Sequence, residues 1–269
     1  MAARKQAKTK SLFCQYEEGG NNLNDWIEFC DSTGLPYTLK TSNYRTIIES
    51  DFCNRDFMQS EMNKRAFIAA NKVKKDIRAT GLLNPEIDAR GLRYFNFAPP
   101  AALLQSESTI YNIDLKSAYA TVLLNHALIS KATYGYMARL AKKDRLACVG
   151  MLAASKNCFK VVNGEAVEHW KEESEMKEYF YFCVQRTNEI MHMCAEVLGN
   201  DFLFYWVDGI FFRNNNNAVA IVKLLNQYGY KSTLDTCHRF KYSETERERK
   251  ITYWKEDQLK GVTTFKRLT

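Results

Sequence analysis

The chain has 269 residues, a formal net charge of +7 and an isoelectric point of about 8.9, with 46% hydrophobic and 26% charged residues. That is enough chain to bury a real core in one large domain or two small ones. The composition excludes a disordered or collagen-like chain, and no apolar run approaches the roughly 20 residues of a membrane helix, so no membrane partner is expected.

The N-terminal "MAARKQAKTK" is basic and lacks an apolar h-region, so it reads as a basic tail and not as a secretory signal. Eight cysteines (Cys14, Cys30, Cys53, Cys148, Cys158, Cys183, Cys194, Cys237) are scattered with no CxxC pair. In a chain of this length that pattern predicts free thiols in a reducing, cytoplasmic setting and argues against a zinc module. The adjacent Cys237 and His238 are read as structural. The basic excess is uneven, concentrating in the tail, in "KVKK" at 72–75, in "RLAKKDR" at 139–145 and near the C-terminus. It is compatible with nucleic acid without being diagnostic of it.

Residues 11–55 mix aromatic and polar residues around turn signals and have no clear period. Phe57, Met62, Phe67, Ile68, Val73 and Ile77 recur at near-helical spacing and predict a helix over 56–80. "NPEIDARG" and "FAPP" then break the chain, which places a boundary between an N-terminal module (1–100) and a core (101–269). "TIYNID" at 109–114 predicts a strand. The pattern over 136–156 predicts a helix, as does 185–199, with Ile190, Met191, Cys194, Val197 and Leu198 on one face and "GN" as its stop. "FLFYWVDGIFF" at 202–212 predicts a β-hairpin, because Asp-Gly between hydrophobic runs is a strong turn cue. A helix follows over about 217–228, then strand-like segments. The order predicts an α+β fold with a mostly antiparallel sheet backed by helices.

Two carboxylates stand out against apolar surroundings. Asp114 ends one strand, and Asp208 sits in the hairpin turn. Rigid strand ends can aim two carboxylates at a common pair of hard divalent cations, the arrangement used for in-line phosphoryl displacement. The same placements also suit a strand cap and an ordinary turn residue.

The neighbouring residues resemble catalytic motifs of family B DNA polymerases. "DLKSAY" is similar to that family's first motif, DxxSLYP, and "FYWVDGIFF" to its third, YxDTDS, with Asp208 matched to the second aspartate. "RKITYWKEDQLKGV" resembles the KxY and KG elements that hold the primer–template duplex. The resemblance covers roughly residues 90–265, with the motifs in the family's order. It implies a polymerase-like palm with short helical fingers at about 126–165 and a rudimentary duplex-binding segment at about 240–269. The activity implied is template-directed nucleotidyl transfer from dNTPs to a primer 3′ end with two Mg²⁺ (or Mn²⁺) ions. Primer–template DNA, dNTPs and accessory replication proteins would be the partners, in a viral or mobile-element setting.

By the same resemblance Asp114, Asp208 and the Leu115 backbone would hold the metals, with Asp114 and Asp208 as the catalytic pair. Ser117 and Ala118 would lie beside the triphosphate. Tyr119 would be a steric gate against the 2′-hydroxyl, unless it is a core tyrosine. Arg139, Lys142 and Lys143, read as one basic helix face, would contact the nucleotide, unless that face is only solvated. Lys250, Tyr253 and Lys260 would contact DNA.

The departures are specific. Ala120 stands where the family has proline, Trp206 replaces the first aspartate of YxDTDS, and Val207 replaces its threonine. The fingers motif KxxxNSxYG keeps only Lys142 and Gly150, and no DxE editing motif lies in the first 100 residues. The interval between the aspartates suits a reverse transcriptase-like polymerase better than family B, although no "QG" motif lies between them. A palm without chemistry, serving as a nucleic-acid-binding scaffold, is the third reading.

Overall fold

The computed structural model describes residues 23–268 apart from 44, 52, 59–63, 82–84, 89–91, 93, 246–248 and 258–261. The basic tail, Cys14 and Lys260 lie outside the described residues. The chain forms two compact units, Met1–Asn71 with Leu140–Lys177, and Lys72–Arg139 with Glu178–Thr269.

The first unit is a five-stranded sheet with α1 (Leu23–Thr33). Its strands are β1 (Tyr37–Thr41), β2 (Arg45–Ser50), β3 (Cys53–Met58), β6 (Lys156–Val162) and β7 (Glu165–Glu172), in the order β3-β2-β1-β6-β7. Trp26, Phe29 and Cys30 of α1 share a buried cluster with Tyr37, Ile48 and Val161. The β6–β7 hairpin closes through Asn163 and Gly164, both left-handed with φ of 52° and 80°. Asn-Gly suits such a two-residue turn, because both central positions need φ above zero. The division between the units falls within α2 (Lys64–Ala79).

The second unit is built on a seven-stranded sheet. In chain order it contains β4 (Phe95–Phe97), α3 (Pro100–Leu104), β5 (Ile110–Leu115), α4 (Ala118–Asn125) and α5 (Lys131–Ala138). After the excursion into the first unit, which also holds α6 (Lys142–Gly150), come α7 (Lys177–Leu198), β8 (Phe202–Trp206), β9 (Gly209–Phe212) and α8 (Ala218–Gln227). The unit ends with β10 (Ser232–Glu244), β11 (Arg249–Asp257) and β12 (Val262–Leu268). The sheet order is β12-β11-β10-β5-β9-β8-β4, and the strand pairs of both sheets are antiparallel. The α+β class with antiparallel sheets and helices is therefore as the sequence predicts.

Strand alternation gives this sheet two different faces. Ile113, Leu115, Ile210, Phe212 and Tyr205 are buried. On this side Tyr205 donates its hydroxyl to Asn188 of α7. The other face carries Phe204, Phe211, Phe240 and Tyr253 in a cluster closed by Leu103 of α3. Phe204 stacks on Phe211 with centroids 4.2 Å apart. Asn112 and Asp114 belong to that same face, beyond the aromatic floor.

Several expected boundaries differ. Residues 53–58 are a strand, because their pairing with β2 overrides the weak helical period, and the helix begins at Lys64. The expected helix over 136–156 is two helices. Leu140 is buried and Ala141 is extended (φ −59°, ψ 154°), while Arg145 donates to the Leu140 carbonyl at 2.7 Å. The helix expected at 185–199 starts a turn and more earlier, at Lys177. A cut near residue 100 would sever β4 from β8, with which Phe95–Phe97 pair. Most of the expected fingers segment, from Leu140 onward, instead joins the N-terminal residues, since β6 pairs with β1.

Among the described residues, no helix is long and apolar enough to cross a membrane. Cys30, Cys148, Cys158, Cys183, Cys194 and Cys237 are buried free thiols.

Candidate active site

The two aspartates meet at one end of adjacent strands. Asp114 is the penultimate residue of β5 and pairs with Gly209, the first residue of β9, while Asp208 occupies the turn just before it. The Leu115 N–H donates to the Asp208 carbonyl at 2.9 Å, which ties the turn to the end of β5. Both aspartates are half-buried.

The turn differs by one position from the Asp-Gly reading. Trp206 pairs with Gly209, so Val207 and Asp208 are its central residues, and the left-handed position (φ 55°) falls on Val207. Gly209 is needed for space and not for its torsion. A Cβ there would come within 3.2 Å of both Asp114 Oδ1 and Asn112 Nδ2. On the outer side of the turn, Trp206 stacks on Phe95 (5.1 Å, 15°), and the Val207 N–H donates to the Tyr94 carbonyl. Trp206, standing where the resembled motif has a carboxylate, thus fixes the hairpin against β4.

Strand β5 runs directly into α4 through "DLKSAY". The Lys116 N–H donates to the Lys231 carbonyl, and Ser117 then takes a left-handed conformation (φ 56°, ψ 44°) as α4 begins. The Ser117 side chain makes no capping bond. The first backbone N–H groups of a helix lack intrahelical acceptors. Leu115 and Ala118 are buried, so each offers only backbone to a ligand. Tyr119 is half-buried, with Phe180 edge-on to its ring at 5.8 Å. Burial first, then the Tyr94 hydroxyl and the Asp208 charge, holds the Tyr119 phenol far above its ordinary range.

A polar network that the motifs did not reveal continues from Asp114 across the same face. Asn112, only 1% exposed, donates through Nδ2 to the Ile210 carbonyl at 3.2 Å. Its Oδ1 accepts from Lys255 Nζ at 2.9 Å. Lys255 also pairs with Asp235 at 2.9 Å, both side chains largely withdrawn from solvent (21% and 14% exposed). Asp235 stands opposite Asn112, and Thr233 opposite Asp114. Burial alone would lower the Lys255 pKa, but the hydrogen bond to Asp235 and the charges of Asp114 and Asp235 outweigh it and raise it. A sequence cue existed for Asn112. A polar residue two positions before Asp114 falls on the same face of a strand.

The remaining candidates do not gather at the aspartates in this way. Arg139 follows the end of α5, whereas Lys142 and Lys143 open α6, so they do not form one helix face. The break at Leu140–Ala141 is the cause. Arg139 belongs to the second unit, Lys142 and Lys143 to the first, and all three are exposed. Tyr253 is buried in the aromatic floor, edge-on to Phe211 at 5.2 Å, so its ring is not presented to a duplex. Lys250 lies on the opposite face of β11, three residues away in a period-two strand.

Among the described residues, no three His, Cys, Asp or Glu side chains form a group that could hold a metal ion. No family model matches the sequence, and no curated protein matches it. A solved structure of the BmCPV RNA-dependent RNA polymerase, in situ at its elongation state, aligns over 86% of this chain at 12% identity, with a TM-score of 0.25. The alignment spans 22% of that polymerase's chain.

Proposed function

We propose that the chain is a template-directed DNA polymerase of reduced family B type, whose palm is the seven-stranded sheet. The observation that carries this reading is the meeting of Asp114 and Asp208 at one end of β5 and the β8–β9 hairpin, beside the space left by Gly209.

Two carboxylates suit Mg²⁺, which usually takes only one or two from the protein and completes its shell with water and substrate phosphate. The space beside Asp114 Oδ1 that a Cβ at Gly209 would fill fits an oxygen-rich shell there. Asp114, Asp208 and the Leu115 carbonyl would hold the ions. When bound, such ions supply Lewis acidity at the attacking and leaving oxygens of the displacement.

The chain's own residues do the rest. Asp114 and Asp208 are held by sheet backbone, so little reorganisation is needed as charge develops. The backbone at Ser117 and Ala118, the N-terminus of α4, would lie beside the triphosphate, where a helix N-terminus favours an anion. The Tyr119 ring, steadied by Phe180, stands under the sugar and leaves no room for a 2′-hydroxyl. The primer 3′ hydroxyl gives its proton to water as its oxygen attacks the α-phosphorus, the α–β phosphoanhydride breaks, and pyrophosphate leaves. On the motif resemblance alone, Lys250, from the other face of β11, and Lys260 would contact backbone phosphate.

The test is primer extension on DNA and RNA templates, with dNTPs or rNTPs and with Mg²⁺ or Mn²⁺. The wild type extends a DNA-templated primer with dNTPs. Asp114→Asn and Asp208→Asn each lose about a thousandfold in rate or more while binding of labelled DNA is retained, because the lost charge stabilisation is worth several kcal/mol. Extension only on RNA assigns the reverse transcriptase-like reading. Nucleic-acid binding with no extension under any combination assigns the scaffold.

A further inference from the structure

We infer that Lys255, held by Asp235 and Asn112, is a tethered cation that sets the metal affinity of the Asp114 site. The inference rests on the metal-dependent reading of Asp114 and adds two positioning residues to it.

The geometry is one continuous run of polar atoms across four strands. Asp235 on β10 and Lys255 on β11 form an ion pair at 2.9 Å, and Lys255 then bonds Asn112 Oδ1 on β5 at 2.9 Å. Asn112 Nδ2 fastens the run to the Ile210 carbonyl on β9. Asp114 is two residues along β5 from Asn112 and so shares its face, with Gly209 bordering both side chains. Nothing in this arrangement resembles a surface ion pair that salt would screen away. The lysine reaches from the sheet's second strand, β11, across β10 to the fourth, β5, to bond an asparagine that is 1% exposed.

Two charges are fixed by it. The ammonium offers Asp114 a permanent positive neighbour, which competes with an arriving cation. It also neutralises Asp235, a third carboxylate on the same face, which would otherwise attract that cation. The two single substitutions therefore act in opposite directions. Lys255→Met removes the positive charge and leaves Asp235 unmatched, so metal binding tightens. Asp235→Asn frees Lys255 to turn to Asp114, so metal binding weakens. At the distances of neighbouring side chains in a half-buried site, each unit charge is worth about tenfold in affinity or more. A purely structural role moves both variants the same way.

The measurement is Mn²⁺ binding, followed by the loss of the free-ion electron paramagnetic resonance signal, with folding checked by thermal melts. Nucleotide and primer are omitted, so activity plays no part. The expected order of affinity is Lys255→Met above wild type, and wild type above Asp235→Asn, each step about tenfold. The double variant Lys255→Met with Asp235→Asn removes both charges and returns close to wild type; if the unmatched carboxylate keeps Lys255→Met from folding, Lys255→Gln, which leaves a hydrogen-bonding group beside Asp235, replaces it and should tighten binding likewise. Wild-type affinity in every one of these variants, with binding abolished by Asp114→Asn, overturns the inference and leaves the site reading standing. Mn²⁺ binding that Asp114→Asn does not weaken overturns both.

Discussion

Gly209 lies directly across the β5–β9 pair from Asp114, and a Cβ built on it would stand 3.2 Å from the Asp114 carboxylate oxygen. Its φ is not in the left-handed region, so space and not backbone freedom is what the position demands. Gly209→Ala is expected to displace the Asp114 and Asn112 side chains while keeping the strand pairing. Extension and Mn²⁺ affinity should fall at least tenfold, with a stability loss of about 1–3 kcal/mol from overpacking. Kinetics beside a denaturant melt separate the two effects. An alanine variant with unchanged metal affinity would show that the carboxylate has room to move aside.

The position of Tyr119 in the first turn of α4, just after the end of β5 that carries Asp114, makes ribose discrimination testable with two variants. Tyr119→Phe keeps the ring and its contact with Phe180, and should still reject ribonucleotides. Tyr119→Ala should raise ribonucleotide incorporation relative to deoxynucleotides by tenfold or more. It should also cost about 3 kcal/mol of stability for the lost aromatic packing. Equal sugar selectivity in wild type and Tyr119→Ala assigns the ring to the core alone.

Alkaline pH should unfold the protein early, because burial raises several of its thiols. Burial pushes Cys194 up to about 12, and burial, opposed by Lys255 and assisted by Asp235, pushes Cys237 up to about 12, from an ordinary 9.0. Above pH 9 the unfolded chain loses these protons while the folded chain keeps them. Stability from each thiol is therefore complete below pH 9 and declines by about 1.4 kcal/mol per pH unit until the folded thiol ionises near 12. Thermal midpoints measured from pH 8 to 11 should fall progressively, and Cys194→Ala should flatten the decline. A midpoint that is level over that range contradicts the sign.

The elements legible in the sequence are those whose cause is local. Strand β5, the 202–212 hairpin and the helix over 218–227 follow from alternation, a turn pair and helical spacing over a few residues. The β6–β7 hairpin carries a comparable cue in Asn163–Gly164. The joining of β1 to β6 could not be read in that way, since it depends on Leu39 meeting Phe159, 120 positions further along the chain. Within the site, Asp114 and Asp208 were legible because each is a lone charge among apolar residues. Lys255 was not, because it sits among other charges in "YWKED", and only its bond to Asn112, 143 positions away, distinguishes it.

Val207 offers a test of whether the turn stores strain to place Asp208. It is β-branched and half-buried, yet holds φ at 55°. That region brings Cβ against the following carbonyl and costs an L-residue roughly 1–2 kcal/mol. Val207→Gly removes the clash but gives the unfolded chain more freedom, worth about 0.5–1 kcal/mol in the other direction. The net expectation is a gain of up to about 1 kcal/mol, or a few degrees in the melting midpoint. Asn tolerates the left-handed region without glycine's freedom, so Val207→Asn should stabilise at least as much. The pair then isolates what rigidity does at the site. If the turn must hold Asp208 still, Val207→Asn keeps extension near wild type, while Val207→Gly loses it despite melting higher. Should both variants melt lower than the parent, the methyl groups of Val207 stabilise the turn by more than its left-handed backbone costs.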